Sequence, residues 1–455
     1  MAALDLPFAA QVGNSGVRQN SQEVLINMFA EVEQSGRSRL VRRPRVGLRS
    51  VTANTGVKRC IERNGAFHYA VIDDKLYRYD GSSLTELGTV SNNSRRCTMV
   101  FNDNGDIMVS DGLQGYVYNG TTVSLITAPT QIGPVAFQGG YGIYSVPGTD
   151  QFYVTDLNDF ATISALSFAT AESKPDPLVR AFVDHNELWL FGVRTTEVWQ
   201  LSGGTDFPFA RFTNAQLERG CSAAYSVAAE DNTVYWLGDD GIVYRADGYR
   251  PVRVSTHAVE RMIQDVSSAA KAAADAFVYT MSGHKFYTLT FPGELTVQFN
   301  IATGFWNTCR TYGSDSWNVL GSAGHSADYY LTDAGIVALD DDIAADEGGI
   351  MEQGGISAPL YANGRRITLG SFFLDAEVGR AAINQEARVS LRVARDGETF
   401  GNERWRSLGS TGQYKRRAMW RNLGQGRNIA IEFMMTDPTP LRIMGASGEV
   451  SVGSS

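Results

Sequence analysis

Seven cations fall within the 24 residues RWRSLGSTGQYKRRAMWRNLGQGR: Arg404, Arg406, Lys415, Arg416, Arg417, Arg421 and Arg427, with Trp405 and Trp420 interleaved. Alternating guanidinium and indole groups can stack on bases or sugars, or dock on an acidic protein rim. The same pattern also suits a strand pair with one core tryptophan and solvated cations. No other stretch concentrates chemistry in this way. The histidines His68, His185, His257, His284 and His325 lie far apart and show no metal-ligand spacing. The cysteines Cys60, Cys97, Cys221 and Cys309 include no C-x-x-C pair, so buried free thiols from a reducing compartment are expected.

Nucleotide, zinc-protease and serine-hydrolase signatures are missing: there is no phosphate-binding G-x-x-x-x-G-K-[ST], no strand-linked G-x-G-x-x-G, no H-E-x-x-H and no G-x-S-x-G. The expectation is therefore no catalytic residue, no cofactor and no metal. Carboxylates that converge only in the fold obey no spacing rule, so a glycan-active propeller hydrolase stays open. So does a monomeric propeller adaptor that binds peptides.

The elements that must carry these residues read as β-structure. Of 455 residues, 47 are Gly and 13 Pro, and aromatics make 11%, which points to short strands joined by tight turns. From 57 to about 341 a hairpin theme recurs. DKLYRYDG from Asp74, GLQGYVYNG from Gly112 and NTVYWLGDDGIVYRADG from Asn232 each end aromatic strands in Asp-Gly or Asn-Gly. Those dipeptides supply the positive φ that a tight hairpin needs. One such small sheet cannot bury both faces, whereas stacking sheets radially does, which is the logic of a β-propeller. The reading is an all-β chain: a β-propeller of about seven blades, six or eight being alternatives, then a small β-sandwich-like domain. The Tyr-x-Tyr strands, with Tyr77, Tyr118 and Tyr244, are expected to pack between blades.

Boundaries follow from composition. Residues 1–56 read as an extended segment packing on or completing the propeller, and 57–341 as the propeller itself. A helix is expected near 256–275, capped by Ser255-Thr256, with Val259, Met262, Ile263 and Val266 on one face. The acidic, Gly-rich stretch 342–358 reads as a protease-sensitive linker, and 359–455 as the C-terminal β-domain. Net charge is −9, but from Tyr361 onward fourteen Lys and Arg face nine Asp and Glu. The C-terminal part is thus +5 and the rest −14. Fold-wide attraction to nucleic acid or anionic membrane is not expected. No targeting segment and no apolar run of about eighteen residues is visible.

Several segments together resemble a known family. Asn27-Met28 and the turn-like Leu40 through Pro44 are similar to the N-terminus of phage tail propeller proteins, with Arg45 where the family usually has Gly. Thr155-Asp156-Leu157, Ala171-Glu172-Ser173, Pro175-Asp176 and Glu197-Val198-Trp199 resemble the packaged-DNA stabilisation protein, the tail hub and head-to-tail connector of short-tailed Salmonella-type phages. The helix around Val259-Glu260-Arg261-Met262-Ile263 matches in position and character. The resemblance implies a structural virion protein in a homo-oligomeric ring of six copies, made in the bacterial host cytoplasm. It implies as partners the head-to-tail adaptor, the tail needle and the tail fibres or spikes. The ring would lie near packaged DNA without specific binding, would help retain that DNA, and would insert into no membrane. The family has no site motif, so no binding residue carries over.

Overall fold

The computed structural model describes residues 3–6, 8–13, 23–33, 40–171, 176–204, 207–324, 327–397 and 399–453. Glu172, Ser173, Pro175 and His325 lie outside the described residues.

Among the described residues seven blades of antiparallel hairpins make the propeller. The first five are four-stranded and built from consecutive strands, spanning Lys58–Thr89, Thr98–Leu125, Val135–Thr170, Leu178–Leu217 and Ala228–Arg253. The sixth blade runs from Asp275–Met281 to Phe305–Thr308. The Asp-Gly and Asn-Gly turns take the expected positive φ at Gly81 (93°), Gly120 (86°) and Gly248 (56°). The first strand of the first blade packs against the first strands of both the second and the seventh, closing the ring.

Closure is a composite. In the seventh blade Tyr329–Thr332 pairs with Gly335–Asp340, which in turn pairs with the N-terminal strand Gly47–Ala53, so distant parts of the chain share one sheet. Loop-closure entropy makes such a pairing costly until the rest of the ring is in place.

Each gap between blades holds its own apolar core, as burial of both sheet faces requires. Ile61, Tyr79, Leu331 and Ile336 fill the gap between the seventh and first blades, with Tyr77 packed at its edge. Tyr118 packs beside Cys60, Val71 and Val109 between the first and second. Tyr244 joins Trp236, Phe191 and Trp189 between the fourth and fifth. Tyr244 is buried, while Tyr77 and Tyr118 are half-buried. The four cysteines are free and buried. Burial raises the Cys60 and Cys221 thiols and pushes Cys309 up to about 12, which leaves them poor nucleophiles.

The expected helix is two. His257–Asp265 starts where the Thr256 hydroxyl accepts from Val259 N, and ends at Val266 in an extended conformation. Ser267 then caps a second short helix, Ser268–Ala272, because its hydroxyl offers the next free amide, Ala270 N, a partner. Val259, Ile263 and Val266 lie in the core between the fifth and sixth blades. Glu260 is buried beneath this helix, where Arg253 and Ser255 Oγ donate to it.

Two other sequence readings change. The stretch 342–358 is not a bare linker. Ala345–Asp346 pairs with Gly349–Ile350 and, in parallel, with Leu48. Gln353–Ile356 lies between Val24–Ile26 and Asn428–Met435. Met351 and Gln353 are fully buried, so packing and ladder bonds override the polar composition. Likewise Leu40–Pro44 is a strand paired with Met28–Val32, not a turn.

The C-terminal unit is a sandwich to which the N-terminus contributes. One sheet orders Met28–Val32, Leu40–Pro44, Ile443–Val452, Ile367–Ala376 and Ala418–Gly426, with Ala3–Asp5 also pairing on Ile443–Val452. The other orders Val24–Ile26, Gln353–Ile356, Asn428–Met435, Arg388–Arg395 and Arg404–Ser407, and through the parallel pairing of Val24–Ile26 with Phe305–Thr308 it is continuous with the sixth blade. Phe8, Leu25 and Met28 share its core with Phe372, Trp420, Ile431 and Phe433. Residues before Gly47 therefore build mainly the sandwich, although Val24–Ile26 also pairs in parallel with Phe305–Thr308 of the sixth blade and Val12 packs in the core between the fifth and sixth blades, and Gly47–Ala53 completes the seventh.

The two units are riveted at Arg45, which is 1% exposed. Its Nη1 donates to Val46 O (2.7 Å) and Asp346 Oδ1 (2.9 Å), and its Nη2 to Asp346 Oδ2 (2.6 Å). Nε donates to Asn27 Oδ1 at 3.0 Å, and the guanidinium lies 4.4 Å from the Trp317 ring centre. Asn27 in turn donates to Arg310 O and Glu352 O and accepts from Arg310 N. Burial opposes the Arg45 charge, but the Asp346 carboxylate outweighs it and holds the guanidinium pKa above its ordinary value.

Candidate functional site

The cationic span folds along the open side of the sandwich, where the two sheets end in the strands Arg404–Ser407 and Ala418–Gly426. Unpaired edges invite strand addition, and cations on them discourage it. Here two of the cations also fasten the edges together. Arg404 Nη1 donates to the Arg421 and Asn422 carbonyls at 3.2 Å each, and Arg406 Nε to Met419 O at 2.7 Å. Trp420 is fully buried and donates from Nε1 to Arg404 O at 2.6 Å.

The remaining cations are freer. Lys415, Arg416 and Arg417 sit in the exposed turn joining these strands, and Arg416 Nε donates only to Gln413 Oε1. Arg421 is exposed on the strand. Arg427 lies beyond the strand's far end, roughly 30 Å from Arg417 at 3.3 Å rise per residue. There its backbone amide donates to Asp396 Oδ1. Among the described residues none of the seven side chains pairs with a carboxylate. The structure thus gathers Arg404, Arg406, Lys415, Arg416, Arg417 and Arg421 along one edge and sets Arg427 apart.

Aromatics extend this edge. Trp405 is 40% exposed, with Arg388 5.7 Å from its ring centre, and Tyr414 is 66% exposed. Exposed Trp, Tyr and Arg side by side are the residue types that anchor protein interfaces. Tyr414 was not singled out in the sequence, although it stands immediately before Lys415.

A second feature carried no sequence signal. A cavity of about 320 Å³ opens among the innermost strands of the propeller and is lined by Glu62, Arg96, Arg180, Tyr225 and Asp275, with Cys60 and Cys97. Arg96 Nη2 donates to Asp275 Oδ1 at 2.7 Å, and Ser322 Oγ to Glu62 Oε2 at 2.6 Å. Burial pushes the Glu62 carboxyl up to about 7 and the Tyr225 phenol up to about 12. These groups come from five separate regions of sequence, so no local spacing could flag them. Among the described residues no cluster of His, Cys, Asp and Glu could hold a metal ion, and no helix is long and apolar enough to cross a membrane.

The segments behind the family resemblance do structural work. Asp176 Oδ2 accepts from Arg194 N, Thr195 N and Thr195 Oγ1, and Glu197 Oε2 accepts from Trp199 Nε1 at 3.0 Å.

Comparison with known proteins gives weak likenesses among solved structures and a decisive family match. The chain is 12% identical to PorZ, a surface component of the type-IX secretion system of Porphyromonas gingivalis, over 64% of this chain and 39% of that one, with a TM-score of 0.37. It is 12% identical to the extracellular domain of the hybrid two-component system BT4673 of B. thetaiotaomicron, over 79% of this chain and 47% of that one, with a TM-score of 0.43. The chain spans under half the length of either. The designed protein Ika8 is 11% identical over 73% of this chain and 100% of that one, with a TM-score of 0.38. No curated protein matches the sequence. Two family descriptions do match: "Bacteriophage P22 Gp10, beta-propeller" over residues 11–348 and "Bacteriophage P22 Gp10, beta-sandwich" over 356–451. With both halves matched in order, the chain belongs to the bacteriophage P22 Gp10 family of packaged-DNA stabilisation proteins, structural proteins of the phage virion.

Proposed function

We propose that this chain is the tail hub of a short-tailed phage, a non-catalytic ring component that joins the head-to-tail adaptor to the tail needle and fibres and helps keep packaged DNA in place. The observation that carries the reading is the family match across both propeller and sandwich. A ring of six copies needs two different surfaces per subunit that close on each other. The exposed cationic edge with Trp405 and Tyr414, on a chain of net charge −9, supplies one such surface for an acidic neighbour. The rigid disc of seven blades offers two loop faces for other partners.

Cryo-electron microscopy of virions containing this chain tests the proposal. The expected result is a ring of copies at the tail vertex, with Lys415–Arg417 against a neighbouring subunit or the adaptor. Finding the chain elsewhere in the particle overturns the hub assignment. Release of sugar from host lipopolysaccharide by the purified chain overturns its non-catalytic part, and Glu62 and Asp275 in the central cavity would be the first carboxylates to replace.

A further inference from the structure

We propose that the central cavity of the propeller binds a small oxyanion, of sulfate or carboxylate size, with Arg180 as its principal partner and Arg96 beside it. Arg180 is 6% exposed and lines the cavity. Its Nη1 donates to the carbonyls of Ala224 (2.8 Å) and Val227 (3.2 Å), and its guanidinium lies 5.0 Å from the Phe182 ring centre. Its Nε, although buried, has no partner, and among the described residues Nη2 donates to nothing and no carboxylate lies within ion-pair distance. A buried guanidinium left without a counterion is strongly disfavoured. Arg96 does not relieve this: it is a second cation, and its own partner Asp275 is committed to it at 2.7 Å. Arg96 Nε is also unpartnered.

Charge and size together define the ligand. Three arginines line the cavity: Arg63 pairs with Asp328 and Arg96 with Asp275, which leaves Arg180 facing Glu62, whose raised pKa leaves it partly neutral near pH 7. An anion with two coplanar acceptor oxygens meets Nε and Nη2 of one guanidinium bidentately. About 320 Å³ admits a sulfate or a short carboxylate but is small for a nucleotide.

Glu62 makes the site sensitive to pH. It faces Cys60 and Arg63 from its own strand, Arg96 and Cys97 from the second blade, Arg180 from the fourth, and Tyr225 and Asp275 from the fifth and sixth. An anion beside Arg180 is repelled by ionised Glu62 and not by its acid form. With a pKa of about 7, the neutral fraction falls about tenfold between about pH 6 and about pH 8, and affinity falls with it.

The test is equilibrium dialysis of the full chain with radiolabelled sulfate, and separately acetate, at both pH values. The charge of either probe is constant over that range. The expected result is saturable binding of one ion per chain, about tenfold tighter at the lower pH. Arg180→Gln abolishes it. Glu62→Gln, which leaves Arg180 untouched, brings affinity at the higher pH to the level seen at the lower. Cys97→Ser keeps the pH dependence. Absence of saturable binding of either probe, or binding unchanged in Arg180→Gln, overturns the site. A pH dependence that survives Glu62→Gln or vanishes in Cys97→Ser overturns the role of Glu62.

Discussion

Replacing Arg45 by Met tests the rivet between propeller and sandwich. The Arg45 side chain is 0% exposed and that of Asp346 6%, and their bidentate contact closes at 2.6 and 2.9 Å. Methionine fills much of the same volume but leaves the Asp346 carboxylate buried without its cation. Removing one member of a buried pair costs about 3–5 kcal/mol, chiefly through the stranded charge. Val46 O also loses its donor, whereas Asn27 Oδ1 keeps the Arg310 amide, so the estimate belongs within that range and not above it. Asp346→Asn, which strands the guanidinium, is expected to cost a similar amount. The double variant Arg45→Met, Asp346→Asn strands neither charge. It is expected to lose less than the sum of the single losses by at least about 2 kcal/mol. Urea unfolding followed by tryptophan fluorescence is a suitable assay, because Trp317 lies against the guanidinium. A stability of Arg45→Met within about 1 kcal/mol of wild type, or strictly additive losses, refutes the argument.

The other predictions concern separate parts of the molecule. Gly47→Ala would place its Cβ 2.3 Å from Ile343 O and 2.8 Å from Ala345 O, both rigid backbone, so thermal unfolding should show a loss of about 1–3 kcal/mol. Reversing Lys415, Arg416 and Arg417 together to Glu should leave unfolding unchanged but slow tail completion on DNA-filled heads at low salt; wild-type completion would remove this edge as an interface. Glu62 has a folded-state pKa of about 7 against an ordinary 4.5, so its contribution to stability is full below pH 4.5 and lost as pH rises through 7. At about 1.4 kcal/mol per unit this is roughly 3 kcal/mol, and Glu62→Gln should flatten that part of a denaturant-midpoint profile. Limited proteolysis of the full chain should spare 345–356, since its strands are paired and Met351 and Gln353 are buried; preferential cutting there would contradict the pairing.

The features legible along the chain are local. Asp80-Gly81, Asn119-Gly120 and Asp247-Gly248 announce hairpins because positive φ is a property of one or two residues, and aromatic strands beside them announce sheets with two faces to bury. Repeating that pattern gives a propeller of about seven blades followed by a second β unit; the strand pairing, with its composite seventh blade, makes the count seven. The Thr256 cap was legible for the same reason, whereas the break at Ser267 was hidden by an uninterrupted apolar face. Tertiary structure alone decided which distant strands meet. Gly47–Ala53 closes the seventh blade beside Gly335–Asp340, and Asp346 becomes the counterion of Arg45 across 301 positions. The acidic stretch 342–358 looked like a linker because composition reports average solvation, while a single buried cation can draw one acidic residue inward. The cationic edge was visible as a run, but only the fold shows Arg404 and Arg406 holding carbonyls while Lys415–Arg417 face solvent. The central cavity was invisible altogether: Glu62, Arg96, Arg180 and Asp275 each lie in or just before the first strand of a different blade, and radial closure, not spacing along the chain, brings them together.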